Sequence, residues 1–160
     1  MTTFRFAERK DTATILMFIR ALADYERMSD DVVADEATLE TWIFDKGKAE
    51  MLFALEDGRE VGFALFFHNF STFLGRAGIY LEDLFVLPAY RGRGHGKALL
   101  TELARIAVDR GCGRLEWSCL DWNRPSIDFY LSMGAEQMSD WTGYRIAGER
   151  LREMGNRYAN

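Results

Sequence analysis

The sequence predicts an α/β domain in which a mixed, mostly antiparallel sheet is flanked by helices. Three observations predict this fold class. Apolar runs lie on both sides of the two-residue turn Asp57-Gly58, which is a strong hairpin signal. The apolar run 84–87 ends at Pro88 and leads through a glycine-rich turn into a helix. A helix-length crossover separates that run from the alternating stretch that begins at Leu115, which predicts parallel pairing of the two strands.

Composition and charge narrow the class of protein. The 160 residues suffice for one domain with a substantial core, and a hydrophobic content of 48% predicts a folded globule. A formal net charge of -5 argues against a nucleic-acid partner and favours cationic substrates. Cys112 and Cys119 have neither metal-ligand spacing nor a disulfide framework, so we expect no metal. The absence of a signal-peptide pattern and of a membrane-spanning stretch predicts a cytoplasmic protein without a membrane partner.

The N-terminal third predicts one strand and two helices. Phe4 and Phe6 alternate with less apolar residues, as in a short strand, and Asp11 is placed to cap the helix that follows. Asp35 can cap a second helix, which we expect to end near Gly47. The buried face of the first helix is marked by four apolar residues: Ile15, Phe18, Ile19 and Leu22.

The middle of the chain predicts three antiparallel strands. Residues 51–55 and 61–67 form the two arms of the hairpin. Residues 69–75 are expected to form the next turn, and residues 76–87 the longest strand of the sheet.

Two helices and two strands are predicted after the glycine-rich turn. Apolar residues at helical spacing predict a helix up to Arg110, with Gly111 as its left-handed cap. After the parallel strand, Pro125 predicts the first turn of a further helix. Residues 144–147 predict a late strand and residues 149–157 a terminal helix.

The turn after Pro88 is typical of an anion site. Gly92, Gly94 and Gly96 lack Cβ atoms, so the backbone can approach a ligand and present its N–H groups. The free N–H groups of a helix start attract phosphate. Three basic side chains add positive charge to this stretch: Arg91, Arg93 and Lys97.

Two familiar phosphate motifs do not fit this turn. A Walker A loop requires Ser or Thr after Gly-Lys, and here Ala98 follows Lys97. A dinucleotide fingerprint requires Gly-x-Gly-x-x-Gly, whereas this turn has Gly-x-Gly-x-Gly and no acidic ribose partner at the right distance. Arg91-x-x-Gly94-x-Gly96 instead resembles the coenzyme A pyrophosphate loop of the GNAT superfamily of N-acetyltransferases.

Longer segments make the resemblance more specific. The segments YLEDLFV at 80–86, DWNRPSIDFY at 121–130 and ADYE at 23–26 resemble the spermidine/spermine, or diamine, acetyltransferase branch. The resemblance implies a single N-acetyltransferase domain over residues 1–160, with the GNAT fold and acetyl-CoA bound at a splayed parallel strand pair. It also implies a homodimer.

The resemblance assigns roles to individual residues. Acetyl-CoA is expected to contact Leu84, Phe85, Val86, Arg91, Gly92, Arg93, Gly94, His95, Gly96 and Lys97, and in a later segment Asn123, Arg124, Pro125 and Ser126. The amine substrate is expected to contact Tyr25, Glu26, Glu82, Asp83, Glu116, Trp117 and Ser118. The catalytic residues are expected to be Glu82, as a base acting directly or through water, and Tyr130, as the proton donor.

The local sequence leaves simpler explanations open at the catalytic positions. Glu82 and Asp83 also fit a pair of ordinary strand carboxylates, which would point to opposite faces of a regular strand. Tyr130 also fits the packed face of a helix. His95 is expected to contact phosphate through its backbone rather than to act as an acid or base.

The sequence therefore predicts an acetyl-CoA-dependent N-acetyltransferase that acts on the primary amine of a small cationic substrate by direct attack in a ternary complex. Candidate substrates are a polyamine, a diamine or a lysine-like amino acid. Thr142 stands where members of the family tend to carry an acidic residue. A smaller or less charged amine is therefore an alternative acceptor to a polyamine. The alternatives are a protein lysine or N-terminal acetyltransferase and a non-catalytic acetyl-CoA sensor.

Overall fold

A five-stranded mixed sheet organises the first 120 residues. The structure, a computed structural model, describes residues 1–157, so the last three residues of the predicted domain lie outside the described part. Strand order follows the chain, with antiparallel pairing up to the fourth strand and parallel pairing of the last two. The strands are β1 (Thr3–Phe6), β2 (Glu50–Glu56), β3 (Arg59–Ser71), β4 (Arg76–Val86) and β5 (Leu115–Trp117).

Five α-helices accompany the strands within residues 1–157. The chain divides into two compact units, Met1–Leu120 and Asp121–Asn160. The first unit holds α1 (Thr12–Tyr25), α2 (Glu36–Leu39), which continues as a π-helical segment (Glu40–Asp45), and α3 (His95–Asp109). The described part of the second unit holds α4 (Arg124–Ser132) and α5 (Gly148–Asn156).

Local signals position several elements as predicted. Asp57 and Gly58 have φ values of 50° and 77°, as a two-residue hairpin turn between twisted strands requires. The side chain of Asp35 accepts a hydrogen bond from the N–H of Thr38 at 2.8 Å and thereby caps α2. Gly111 has a φ of 73° beyond the end of α3. The predicted hairpin, α2 cap and α3 end are confirmed.

The main core lies between α1 and one face of the sheet. Phe18 of α1 packs its ring 5.9 Å from that of Phe53 on β2 and 5.4 Å from that of Phe63 on β3. Ile15 and Leu22 extend the same buried helical face. Burying such side chains contributes roughly 2–3 kcal/mol each. This packing fixes the C-terminal end of α1 over β4, where Tyr25 contacts Phe85 with 6.1 Å between ring centroids.

Three predictions about the fold need correction. Asp11 does not cap α1, because its carboxylate accepts hydrogen bonds from Arg5 and from the N–H of Glu8. Residues 69–71 belong to β3, so the turn is shorter than predicted and β3 is longer than β4. Residues 144–147 form no strand. The described residues contain no helix that is long and apolar enough to cross a membrane.

Candidate active site

A β-bulge in β4 determines which way its carboxylates face. Asp83 is opposite Leu65 of β3, but Leu81 is opposite Phe66, so Glu82 is an extra residue with no partner on β3. Because Leu65 and Phe66 face opposite sides of the sheet, Asp83 and Leu81 do so as well. Leu65 packs against the core beneath α1. Its pairing with Leu65 therefore places Asp83 on the α1 side, and the prediction that Glu82 and Asp83 face opposite sides assumed a regular strand, which the bulge interrupts at Glu82.

Three carboxylates influence one another at this position. Burial raises the pKa of Asp83 from 3.8 to about 7, and repulsion from Glu82 and Glu26 adds to the increase. Burial likewise raises the pKa of Glu26, which directly follows α1, with a further contribution from Glu82. Glu82 itself is exposed. The end of α1 and the bulge of β4 thus form an acidic group, Glu26, Glu82 and Asp83, which suits a cationic ligand.

The backbone beside this acidic group is open along one edge. The parallel pairing of β4 with β5 covers residues 79–81 of β4 and ends there. From Glu82 to Val86 that edge of β4 has no strand partner among the described residues, while β3 pairs with the other edge. Except for the carbonyl of Val86, which accepts a hydrogen bond from Arg91, backbone N–H and C=O groups in such an unpaired stretch are available to an extended ligand.

The glycine-rich turn has room for a ligand. Gly92 and Gly94 have φ values of 75° and 87°, which favour glycine for backbone reasons. Gly96, in the first turn of α3, has no such φ, and a Cβ there would have no heavy atom of the protein within 4 Å. Neither backbone strain nor protein packing accounts for this glycine. The start of α3 therefore leaves open space beside the free N–H groups of the helix, which suits an anion such as a phosphate.

Two arginines of this turn have protein partners. Arg91 donates from Nε to the carbonyl of Val86 at 3.0 Å. Its guanidinium lies 4.7 Å from the ring centroid of Tyr25 and 5.2 Å from that of Phe85. Arg93 forms an ion pair of 2.6 Å with Glu56 at the end of β2. Arg91 therefore connects the glycine-rich turn to the end of α1.

The buried side chain of His95 anchors the start of α3. Its Nε2 lies 3.1 Å from Glu56, and its Nδ1 lies 2.9 Å from the hydroxyl of Thr2. Glu56 thus holds both Arg93 and His95. Glu56 was not predicted from the sequence, because no local pattern connects residues so far apart in the chain. Its place immediately before the Asp57-Gly58 turn was the one available signal.

Two of the predicted substrate residues lie on β5, and the third follows it directly. Glu116 and Trp117 point to opposite sides of the strand by alternation, and Ser118 comes immediately after its end. The carboxylate of Glu116 accepts hydrogen bonds from Asn69 at 3.0 Å and from Arg114 at 2.9 Å. The hydroxyl of Ser118 lies 2.9 Å from that of Tyr80. The side chain of Trp117 therefore lies on the opposite side of β5 from that of Glu116.

The second unit carries the remaining predicted residues. Asn123 is buried, and its side chain accepts from the N–H of Ser126 at the start of α4. Pro125 lies in the first turn, and Arg124 pairs with Asp128 at 2.9 Å. Tyr130 lies on the same helix, half-buried, with its ring 5.4 Å from that of Phe129. The predicted helix, with Pro125 in its first turn, is confirmed.

Comparison with known proteins identifies the family. A profile of the acetyltransferase (GNAT) family matches residues 16–135, which include the bulge, the glycine-rich turn and Tyr130. The chain belongs to the GNAT family. It is an N-acetyltransferase, and the fold predicted from the sequence is confirmed.

Two relatives and one solved structure illustrate the similarity. The GNAT chain is 37% identical over 165 residues to thialysine N-epsilon-acetyltransferase of Bos taurus, covering 96% of each. It is 32% identical over 164 residues to the human spermidine/spermine N(1)-acetyltransferase-like protein 1, covering 94% of this chain and 23% of that protein. An integron cassette protein from the mobile metagenome of V. cholerae matches with a TM-score of 0.80 and 26% identity, over 96% of this chain and 97% of that one. The predicted resemblance to the spermidine/spermine acetyltransferase branch is confirmed.

Proposed function

We propose that this GNAT enzyme transfers the acetyl group of acetyl-CoA to a primary amine of a small cationic substrate. A polyamine, a diamine or a lysine-like amino acid is the acceptor, and the amine attacks directly in a ternary complex. The observation that carries the proposal is the acidic group of Glu26, Glu82 and Asp83 beside the open edge of β4. The relative named for thialysine, a lysine analogue, supports the lysine-like acceptor.

Acetyl-CoA binds along the open edge of β4 in this proposal. The backbone of Leu84, Phe85 and Val86 receives the pantetheine arm and the acetyl group. The N–H groups of residues 92–97 and the side chain of Lys97 hold the pyrophosphate. In the second unit, the segment 123–126 contributes further contacts to the coenzyme.

The acidic group prepares the amine for attack. An alkyl ammonium has a pKa of about 10.4, so it must lose a proton before its nitrogen can attack a thioester. Glu82, the exposed member of the group, accepts that proton directly or through water. Glu26 and Asp83 attract the ammonium group into the site, and Tyr25, Glu116, Trp117 and Ser118 complete the contacts with the substrate.

The reaction then requires two further stabilising groups. Attack on the acetyl carbon produces an oxyanion, which a backbone N–H in the Phe85–Val86 region stabilises. Collapse of this intermediate breaks the C–S bond as the nitrogen releases its second proton to water. Tyr130 donates a proton to the departing thiolate and regains one from solvent. No covalent acyl-enzyme forms, so neither Cys112 nor Cys119 acts as a nucleophile.

The proposal extends to the state of the whole protein. Residues 1–160 form one N-acetyltransferase domain, because the family match crosses from the first unit into the second. The protein is a homodimer in this proposal, since Trp141 and Tyr144 of the second unit are 77% and 94% exposed and suit an interface. Light scattering that gives a monomer at micromolar concentration would reject the dimer. Two free cysteines fit a cytoplasmic location.

The decisive experiment measures release of the coenzyme A thiol from acetyl-CoA. The acceptors are spermidine, spermine, short diamines, lysine, thialysine and aminoglycosides, and mass spectrometry confirms the acetylated product. We expect turnover on one class of amine, and Glu82→Gln should lower kcat by about 100-fold. Glu136→Gln is the matched control, because Glu136 is exposed in the segment after α4.

The alternative functions predict different results in the same assay. Binding of acetyl-CoA without transfer to any small amine would reject the proposal and point to a sensor or a protein acetyltransferase. Acetylation of a folded protein, far faster than of any free amine, would favour the protein acetyltransferase.

A further inference from the structure

The basic side chains of the glycine-rich turn point in different directions. Arg93 is paired with Glu56 and lies over the ring of Tyr90 at 5.2 Å. Arg91 lies over Tyr25 and Phe85, with its Nε bound to the carbonyl of Val86. The guanidinium of Arg91 is therefore engaged by the end of α1 and the end of β4, on the side of the acidic group.

The contacts of Arg91 fix both its position and its orientation. The hydrogen bond from Nε to the Val86 carbonyl ties the guanidinium to β4. The faces of two aromatic rings attract the delocalised cation, and a planar guanidinium suits such stacking better than an ammonium does. Tyr25 in turn contacts Phe85 directly, so the two rings and the cation form one cluster.

This cluster lies next to a residue of the acidic group. Tyr25 is the last residue of α1, and Glu26 follows it directly. The end of a helix moves readily unless its side chains are held. A cation stacked on Tyr25 restrains both the ring and the backbone that carries Glu26.

We propose that Arg91 is a positioning residue for the amine substrate, which holds Tyr25 and thereby Glu26 in place, rather than a ligand of the coenzyme phosphates. This inference rests on the proposed function of the same site. In this proposal Arg91 does not bind acetyl-CoA. It orders the part of the site that binds the amine.

The test separates the two substrates of the reaction. We expect Arg91→Gln to lower kcat/KM for the amine by about tenfold at saturating acetyl-CoA, with less than a twofold change in KM for acetyl-CoA. Arg91→Lys should recover part of the loss, because an ammonium can lie over the rings but cannot at the same time reproduce the Nε hydrogen bond. Lys97→Gln provides the contrasting effect, a higher KM for acetyl-CoA. Arg59→Gln, exposed at the start of β3, is the matched control.

A double-mutant cycle tests whether Arg91 acts through Tyr25. If it does, Arg91→Gln combined with Tyr25→Leu should reduce kcat/KM for the amine no further than Tyr25→Leu alone. If the double variant instead lost kcat/KM by the product of the two single losses, the proposal would be overturned. A tenfold rise in KM for acetyl-CoA in Arg91→Gln, or no change in either substrate, would overturn it as well.

Two measurements remain informative if no amine is acetylated, a result that would reject the proposed function. Calorimetric titration with coenzyme A should give the same Kd for the wild type and Arg91→Gln within a factor of two, and a tenfold weaker Kd would overturn the positioning role. The shifts in Tm of Arg91→Gln and Tyr25→Leu should be non-additive in the double variant. Additive shifts would show that the stack does not order the end of α1.

Discussion

Among single residues, Asp83 connects the binding of the amine to pH. Its pKa of about 7 means that its charge develops between pH 6 and 8, within the acidic group that attracts the substrate. We expect kcat/KM for the amine to rise over this range with an inflection near pH 7. Asp83→Asn should remove the inflection and lower kcat/KM by about tenfold at pH 8, since one charged contact is lost. An inflection that persists in Asp83→Asn would assign it to another group.

Tyr130 allows a second prediction at this scale. If its hydroxyl protonates the departing thiolate, Tyr130→Phe should lower kcat by about 100-fold and change KM for acetyl-CoA less than twofold. Tyr144→Phe is the control for loss of a hydroxyl outside the active site, because it keeps the exposed aromatic ring that the proposed dimer interface uses. Steady-state assays with the best amine of the panel make the comparison. Unchanged turnover in Tyr130→Phe would reject the role of proton donor.

Sequence could predict the residues of the acidic group but not their directions. Glu26, Glu82 and Asp83 were identified from motifs that resemble a known family. The shift of register between Asp83 and Leu81 leaves Glu82 without a partner on β3, and it has no signature in the residues themselves. The partners of Arg91 and Glu56 were equally out of reach, since both connect segments that are distant in the chain.

At the scale of elements, the turn into α3 contains two positions, 94 and 96, at which glycine is present for different physical reasons. Gly94 needs a positive φ, so Gly94→Ala should destabilise the fold by about 1–3 kcal/mol. Gly96 lies within α3 without such a need, so Gly96→Ala should stabilise by about 0.5–1 kcal/mol. We nevertheless expect Gly96→Ala to raise KM for acetyl-CoA about tenfold, because its methyl group enters the space assigned to the ligand.

Urea unfolding and acetyl-CoA kinetics on the two variants test these opposite effects. A Gly96→Ala enzyme that is more stable and binds acetyl-CoA as well as the wild type would show that the space above α3 is not used. The control is Gly155→Ala in α5, another helical glycine without a positive φ or a close neighbour, which should gain stability without a change in KM.

Strong local signals account for the elements that were predicted well. The Asp57-Gly58 turn, the Asp35 cap and the Gly111 end each depend on residues within a few positions of one another. The predicted strand at 144–147 does not form, because a strand requires another strand to pair with it. The sequence contained no information on such a partner.

At the scale of the whole molecule, two groups of charges give the stability opposite pH dependences. Hydrogen bonds from Arg5 lower the pKa values of Asp11 and Glu60 below 3.8 and 4.5, so the stability that they contribute is present near neutral pH and is lost as pH falls through the lowered values. Asp83 has the opposite sign. Its pKa is raised from 3.8 to about 7, so the folded state holds a proton that the unfolded state releases, and stability falls as pH rises through that window.

We therefore expect the free energy of unfolding to be greatest in mildly acidic solution and to decline on both sides. Asp83→Asn should remove the decline towards pH 8, and the difference from the wild type there should reach at most about 4 kcal/mol. Arg5→Met should lower stability at pH 7 and reduce the loss below pH 4, because Asp11 and Glu60 lose the partner that keeps them ionised. Urea titrations from pH 3 to pH 9 measure both effects. A wild-type curve that rises from pH 5 to pH 8, unchanged in Asp83→Asn, would show that burial of Asp83 does not cost the fold stability, and an inflection of kcat/KM near pH 7 would then belong to another group.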